Sequence, residues 1–333
     1  MNYIGSKYKL LPFLDEVIRD YVGNDMSQMT FCDLFAGTGV VGRYFKTKVK
    51  SVISNDWEYY SFVLNKNYIE NHTEIANAED FIVELNNIPL RDDGFIYKNY
   101  CLGGSGERQY FSDNNGKKID AVRLKIEEWK NNVYINESTY YFLLCSLLES
   151  ADKLANTASV YGAYLKKLKK TAQKELTIEP AYFEINNNHH QVYCEDANQL
   201  INKIEGDVLY LDPPYNARQY GANYHLLNTI AEYKPFVPKG KTGMRDYCKS
   251  SYCSKFTIKD SFENLIQSAQ FKYIFLSYNN EGLMTSSDIR NIMQKYGDYS
   301  VRTKDYQRFK ADKTENRHHK ANSTVEFLHV LVK

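Results

Sequence analysis

Short apolar runs alternate along much of the chain with segments of helical period. Five runs of six to eight residues predict buried strands, at residues 28–35, 49–56, 191–196, 207–212 and 273–279. Strands that are separated by helices favour a parallel, doubly wound α/β sheet. Two further runs, 299–309 and 324–333, are joined by a polar loop and predict an antiparallel hairpin. The pattern therefore predicts a mostly parallel, Rossmann-like sheet with a C-terminal antiparallel hairpin at its edge.

The second and third predicted strands are separated by a long region of a different character. Amphipathic patterns at residues 119–129 and 140–154 predict helices, and the glycine-rich stretch CLGGSGERQYFSDNNG, residues 101–116, predicts an exposed irregular loop. A chain of 333 residues is long enough for one large domain with an insertion. We therefore expect a sheet domain formed by residues 1–64 and 189–333, interrupted by a helical subdomain at 65–188.

Acidic residues mark the carboxyl ends of four predicted strands, which is where ligands bind in such sheets. Asp33 lies near the end of the first strand, and Asp56, Asp196 and Asp212 end the next three along the chain. The stretch DLFAGTGVVG, residues 33–42, follows the first strand but departs from the dinucleotide and phosphate-loop glycine patterns. An acid beside this turn disfavours phosphate. Asp56 is placed to accept hydrogen bonds from a ribose diol, and Asp196 could accept from an exocyclic amine. A ribose, an adenine amine and a cationic amino-acid tail together describe S-adenosylmethionine.

The charge of the chain is balanced overall but unevenly distributed. The net charge is only +1, yet residues 164–174, 239–259 and 302–320 are each rich in Lys and Arg. One such segment is usually a solvated face, whereas three of them predict a surface that faces a polyanion.

Cysteine and apolar content indicate the compartment. The six cysteines show no CxxC spacing, so reduced thiols in a cytoplasmic protein are favoured over a metal site built from Cys248, Cys253 and a His pair. No apolar run approaches the length of about 20 residues that a membrane helix needs, and no signal-peptide pattern opens the chain. We therefore expect neither a membrane nor a secreted location, and no metal.

Five motifs in order carry a resemblance to a known family. They are YIGSKYKLLPFL at the N-terminus, DLFAGTGVVG, ND at 55–56, CEDA at 194–197 and DPPY at 212–215. Over essentially its whole length the chain resembles the D12-class, Dam-like N6-adenine DNA methyltransferases. The resemblance implies a methyltransferase sheet with an inserted target-recognition subdomain, acting on double-stranded DNA. It also implies that S-adenosylmethionine is bound by Tyr3, Lys7, Asp33, Phe35, Ala36, Gly37, Gly39, Asp56, Asp196, Ala197 and Asp212.

The DPPY motif has a physical rationale in this chemistry. The adenine amino nitrogen is a poor nucleophile because its lone pair is delocalised, so both N–H groups need acceptors as the nitrogen attacks a methyl group. Asp212 offers a carboxylate and Pro213 a carbonyl, and both precede a proline, which stiffens the segment Pro213-Pro214. Tyr215 provides a face on which a flipped-out base can stack.

Two stretches, RQYFSDNNGKKIDAVR and PPYNARQYGANYHLLNTIA, are closer still to type II restriction–modification enzymes that modify CATG. A cognate nuclease acting separately on the same site would then be expected, in a bacterial cytoplasm or nucleoid. Three alternatives stay open on the residues: methylation of RNA or of a glutamine side chain, methylation of cytosine N4, and a non-catalytic binding subunit of the same fold.

Candidate DNA contacts are divided between two surfaces. We expect the region 65–188 to carry most base-reading side chains, with Arg108 and Gln109 suited to guanine and adenine edges. The basic stretch 239–259, with Lys241, Arg245 and Lys249, is expected to be mobile without DNA and to contact phosphates.

Overall fold

The structure, a computed structural model, describes residues 6–307 and 323–333. These residues divide into two compact units. The sheet unit comprises residues 6–57, 186–219, 249–307 and 323–333. The helical unit comprises Glu58–Ile185 and Tyr220–Cys248. The predicted insertion 65–188 falls almost wholly within the helical unit, but this unit also includes Tyr220–Cys248, which the prediction had placed with the sheet.

A seven-stranded sheet forms the centre of the sheet unit as far as the structure describes it. Its strands are β1 Thr30–Asp33, β2 Ser51–Asn55, β3 Gln191–Tyr193, β4 Glu205–Leu211, β5 Gln270–Asn279, β6 Asp298–Gln307 and β7 Ser323–Val332. Their spatial order is β3-β2-β1-β4-β5-β7-β6. Strands β1 to β5 pair in parallel, whereas β7 pairs antiparallel with both β5 and β6. The predicted doubly wound sheet with a C-terminal antiparallel pair is confirmed.

Helices cover both faces of this sheet. They are α1 Leu11–Val22, α2 Val40–Phe45, α8 Ala197–Leu200, α11 Ile258–Ser268 and α12 Ser286–Met293. On one face, Leu209 and Ile274 belong to a buried cluster with Phe262 of α11. On the other, Phe31 of β1 stacks on Phe45 of α2 with ring centroids 4.3 Å apart. Because both faces are covered, the central strands are apolar on both sides, which explains their continuous hydrophobic runs.

The helical unit contains α3 Tyr59–Asn65, α4 Ala78–Asn87, α5 Phe95–Tyr100, α6 Asp113–Asn131, α7 Glu137–Leu154, α9 Tyr220–Asn223 and α10 His225–Glu232. Buried charges on α6 hold the ends of its neighbours. The carboxylate of Asp120 accepts from the N–H groups of Ile96 and Tyr97 at the start of α5, each at 2.8 Å. The buried Arg123 guanidinium donates to the carbonyl of Ala231 at the end of α10. These bonds supply partners to helix-terminal groups that have none within their own helix.

The glycine-rich stretch 101–116 is only partly the exposed loop that its composition predicts. Residues 102–106 form turns, but Tyr110 and Phe111 are buried. The Ser112 hydroxyl then accepts from the Asn115 N–H and caps α6, so the last four residues of the stretch are helical. The prediction missed this cap because the glycines at 103, 104 and 106 and the pair Asn114-Asn115 are typical of turns. No helix in the described ranges is long and apolar enough to cross a membrane.

Candidate active site

The predicted acids lie at one edge of the sheet, as the parallel topology requires. Asp33 is the last residue of β1, and Asp56, Asp196 and Asp212 follow β2, β3 and β4. These four strands are neighbours in the sheet and run in the same direction. The carboxylates of Asp56 and Asp212 both lie close enough to Asp33 to influence its pKa. The sheet edge therefore collects acids from distant parts of the chain.

The turn after β1 is held to the end of the neighbouring strand β2. Gly37 and Gly39 adopt positive φ of 53° and 77°, a conformation that disfavours residues with a Cβ. The Gly37 N–H donates to Oδ2 of Asp56 at 2.8 Å, and the Ala36 N–H donates to the carbonyl of Asn55 at 2.9 Å. The sequence therefore fixes the shape of this turn twice, through its glycines and through the residues that end β2.

The carboxyl of Asp33 is buried and only half satisfied. Oδ2 accepts from the Gly42 N–H at 3.0 Å, whereas Oδ1 is buried and has no hydrogen-bond partner among the described residues. Burial, aided by the carboxylates of Asp212 and Asp56, raises the pKa of Asp33 to about 8. A buried polar atom without a partner is destabilising. This arrangement favours a ligand that donates a hydrogen bond, or brings positive charge, to Oδ1.

Asn55 connects the glycine turn to the loop after β3. Its buried amide nitrogen donates to the carbonyls of Leu34 and Glu195, at 3.2 and 3.1 Å, and its oxygen accepts from the Glu195 N–H at 3.0 Å. The neighbouring Asp196 caps α8, since its Oδ1 accepts from the Asn198 N–H at 3.0 Å. Asp196 is thus fixed by a local capping role, and the predicted contact to an exocyclic amine remains an expectation for its other oxygen. Ala197 is buried as the first residue of α8.

The DPPY segment begins where β4 ends. Pro213 is buried and Tyr215 is half-buried. The Tyr215 carbonyl accepts from the Leu283 N–H at 3.0 Å, and its ring meets that of Tyr278 edge-on with centroids 6.3 Å apart. The segment is therefore tied to the loop after β5. Phe35, in the glycine turn, likewise packs edge-on against Tyr252 with centroids 5.1 Å apart.

A buried lysine lies between two carboxylates at this edge. The ammonium of Lys7 is 3.1 Å from Oδ1 of Asp212 and 3.1 Å from Oε1 of Glu326 in β7. Burial raises the pKa of Asp212 to about 6, since Lys7 offsets the desolvation only in part and Glu326 adds repulsion. The carboxylates of Asp212 and Glu326 raise the pKa of Lys7 well above its usual value, despite the opposing effect of burial. Lys7 thus remains charged, and it holds Asp212 in one orientation.

The sequence interpretation missed two residues of this group. Glu326 accepts from the Ser277 hydroxyl at 2.7 Å, so β5 and β7 both contribute to the environment of Asp212. A lone acid inside the apolar run TVEFLHVLVK was the available signal, because a buried acid needs a partner. Tyr3, which was expected to line the cofactor site with Lys7, lies outside the described residues.

The guanidinium of Arg108 donates hydrogen bonds to three backbone carbonyls of the helical unit. Its Nε donates to the Lys241 carbonyl at 3.1 Å, its Nη2 to that of Gly240 at 3.0 Å and its Nη1 to that of Asn99 at 2.9 Å. Reading a guanine edge would take two of these nitrogens, so Arg108 would have to exchange carbonyls for a base, and its role as a base reader stays a prediction. Gln109 is half-buried beside it.

The other predicted DNA contacts differ in their surroundings. Lys241 and Lys249 are exposed, in the helical and the sheet unit respectively. Arg245 is half-buried, with Nη2 2.9 Å from Oε1 of Glu232. Lys241 belongs to a turn in which the N–H groups of Lys239 and Met244 donate to each other's carbonyls at 2.9 and 2.8 Å. Arg245 is therefore a less suitable phosphate contact than the two exposed lysines. Within the described ranges, no group of three or more His, Cys, Asp or Glu side chains could hold a metal ion.

Comparison with known proteins places these features in a family. The family model for D12 class N6 adenine-specific DNA methyltransferases matches residues 3–292. Type II methyltransferase M.NlaIII from Neisseria lactamica is 63% identical over 100% of this chain and 99% of its own length. Type II methyltransferase M.CviAII from Paramecium bursaria Chlorella virus 1 is 37% identical, with 93% of each chain covered. Type II methyltransferase M.FokI from Planomicrobium okeanokoites is 40% identical over 93% of this chain, which spans only 50% of that relative. The chain therefore belongs to the D12 class of N6 adenine-specific DNA methyltransferases, enzymes that transfer a methyl group from S-adenosylmethionine to adenine in DNA.

Proposed function

We propose that the sheet edge around Asp212 is the catalytic centre of this methyltransferase and that the enzyme modifies CATG. The observation that carries the first part is the ion pair of the half-buried Asp212 carboxylate with the buried Lys7 ammonium at the end of β4. Pro213 follows it directly, so that a carboxylate and a carbonyl stand side by side in a stiffened segment. Two acceptors in this arrangement match the two N–H groups of an adenine amine.

Asp212 and Pro213 act on the amine of a flipped-out adenine. The carboxylate and the carbonyl accept its two N–H groups, which directs the nitrogen lone pair out of the ring plane. S-adenosylmethionine, when bound, would supply the methyl group that this nitrogen attacks and would leave as the neutral thioether, and Asp212 would accept the proton that the nitrogen loses. Tyr215 supports the base by stacking, which is worth about 1–3 kcal/mol. The catalytic contribution is mainly preorganised acceptors, since they are already in place before the charge develops.

The cofactor side of the edge fits S-adenosylmethionine, which when bound supplies the methyl group of its sulfonium. Asp33, one of whose buried oxygens has no hydrogen-bond partner in the described part of the chain, would accept from the cationic methionine end. Asp56 would accept from the ribose, and Asp196 from the adenine amine. Gly37 and Gly39 allow close approach of the backbone, and Phe35, Ala36, Ala197 and Lys7 complete the proposed set.

Specificity for CATG is proposed from the stretches that resemble CATG-modifying type II enzymes. The identity of 63% to M.NlaIII over the whole chain supports a type II modification role. We assign base reading to the helical unit, including Gln109, and phosphate contacts to Lys241 and Lys249. A separate cognate nuclease and a cytoplasmic location follow from such a role.

Methyl transfer from tritiated cofactor tests both parts. Asp212→Ala should lower the single-turnover rate at saturating cofactor at least about a hundredfold. Asp260→Ala, a change of the same type on the exposed side of α11, should leave the rate unchanged. A near-normal rate in Asp212→Ala would overturn the catalytic assignment. Equal methylation of duplexes with CATG and with the same bases scrambled would overturn the specificity.

A further inference from the structure

Glu326 is a buried acid with two partners, and it is the one acid of strand β7. Its side chain accepts from the Ser277 hydroxyl at 2.7 Å and lies 3.1 Å from the Lys7 ammonium. It is 5% exposed, and in the antiparallel register it faces Asn279 of β5. Burying a carboxylate here is costly unless it is paired and hydrogen-bonded, and both conditions are met. The position is therefore built around a negative charge.

The second carboxylate changes what Lys7 does to Asp212. With Asp212 as its only partner, the ammonium would be drawn wholly onto that carboxylate and would weaken it as an acceptor. Glu326 draws the same ammonium from the other side, at an equal distance of 3.1 Å. Because Ser277 and the β5–β7 pairing fix Glu326, the ammonium is held between the two acids.

We propose that Glu326 is a positioning residue for methyl transfer. It holds Lys7 between two carboxylates, so that the ammonium is drawn partly away from Asp212 and Asp212 keeps its strength as an acceptor for the adenine amine. This inference rests on the proposed catalytic role of Asp212.

The sign of the expected pH effect follows from the groups around Asp212. Those facing it are Lys7 in the N-terminal segment, Tyr210 of β4, Tyr215 in its own segment, Asp33 of β1 and Glu326 of β7. Among these, Glu326 raises the pKa of Asp212 and Lys7 lowers it. Glu326→Gln keeps the shape and a hydrogen-bonding oxygen but removes the charge. The pKa of Asp212 should therefore fall, and a weaker base is a weaker acceptor.

The test is the pH dependence of kcat/KM for DNA, together with the single-turnover rate on its plateau. In Glu326→Gln we expect the acid limb to move to lower pH and the plateau rate to fall about tenfold. Ser277→Ala leaves the charge and loosens its position, so it should lower the plateau without moving the limb. Glu263→Gln, the same change at an acid of α11 paired with Lys295 near the surface, should alter neither.

Each outcome bears on the proposal. An unchanged profile in Glu326→Gln overturns it, and so does a lower plateau with an unmoved acid limb, since a merely structural role predicts that result. If thermal unfolding shows that Glu326→Gln does not fold, Glu326→Met, which also removes the charge, takes its place, and an unmoved acid limb in that variant overturns the proposal. Retained activity in Asp212→Ala would instead overturn the catalytic assignment on which the inference rests.

Discussion

Replacing Asp33 by Asn should stabilise the free protein increasingly as the pH rises. The pKa of this buried carboxyl is raised to about 8, against an ordinary value near 3.9 in the unfolded chain. Between these values the folded protein holds a proton that the unfolded chain has lost. The stability that Asp33 contributes is thus fully present below about pH 4 and is lost as the pH rises towards about 8.

The magnitude follows from the linkage between proton binding and folding. Each pH unit in this window lowers the free energy of unfolding by about 1.4 kcal/mol relative to a group that does not titrate. Asn has the shape of the protonated acid and retains an oxygen for the Gly42 N–H. From about pH 5 to about pH 7, the stability of Asp33→Asn relative to the wild type should therefore rise by about 3 kcal/mol.

Urea unfolding of both proteins across this range, without cofactor, measures the difference directly. Asp288→Asn is a control in which pH should affect stability in the opposite direction. Hydrogen bonds from Lys259 and Thr285 lower the pKa of Asp288, whereas the pKa of Asp33 is raised. The stabilising contribution of Asp288 is present above the unfolded pKa and is lost as the pH falls, so this variant should be destabilised near neutrality. A stability difference between Asp33→Asn and the wild type that does not change with pH would refute the reasoning.

Folding without cofactor favours the protonated form of Asp33, whereas cofactor binding should favour its ionised form. A cationic ligand beside Asp33 favours the carboxylate, so binding near neutral pH should release a proton, which calorimetry in buffers of different ionisation enthalpy detects. Asp33→Asn should bind more weakly and release no such proton. Equal proton release by both proteins would mean that Asp33 is not the group that ionises.

Two further predictions concern the DNA-facing residues. Arg108→Gln should lower the free energy of unfolding by about 1–3 kcal/mol, because it leaves carbonyls of the 240–241 turn without their donor. An unchanged unfolding midpoint, with loss of binding to the cognate duplex alone, would instead support a role for Arg108 in reading a base. Changing the exposed Lys241 and Lys249 together to Gln should weaken binding to cognate and scrambled duplexes alike and reduce the slope of affinity against salt by about 2. Loss confined to the cognate duplex would contradict that assignment, and Lys125→Gln, on α6 and already paired with acids, is its control.

The sequence predicted most of the sheet edge because its signals are local. A buried strand that ends in an acid can be recognised from about eight consecutive residues. The parallel topology then brings the carboxyl ends of the strands, with Asp33, Asp56 and Asp212, to one edge of the sheet. The contacts of Glu326 and Ser277 were not predicted, because they depend on pairing between strands that are distant in sequence. No local sequence pattern indicates that β7 lies between β5 and β6. The sequence alone therefore could not place Glu326, the one acid of β7, beside Lys7.

The same limit explains why the hydrogen bonds of Arg108 could not be predicted. Polarity and glycine content described its neighbourhood correctly as a turn, but they carried no information about the turn at 240–243. There the Arg108 guanidinium, the Tyr110 hydroxyl and the Tyr100 hydroxyl donate to four successive carbonyls. The local sequence does not distinguish an arginine that donates to backbone carbonyls from one that contacts a DNA base.

The excess of acid at the sheet edge links stability to function in this protein. Asp33 lies within electrostatic range of Asp212, and Asp212 lies within range of Glu326. Lys7 is the cation paired with Asp212 and Glu326. Desolvation and mutual repulsion raise the pKa of Asp33 and of Asp212, so the free protein bears a cost that a cationic ligand would relieve. S-adenosylmethionine carries its positive charge on the sulfonium whose methyl group is transferred. The edge should therefore be most strained when empty and least strained with the methyl donor bound, and loss of that charge on methyl transfer would favour release of the product.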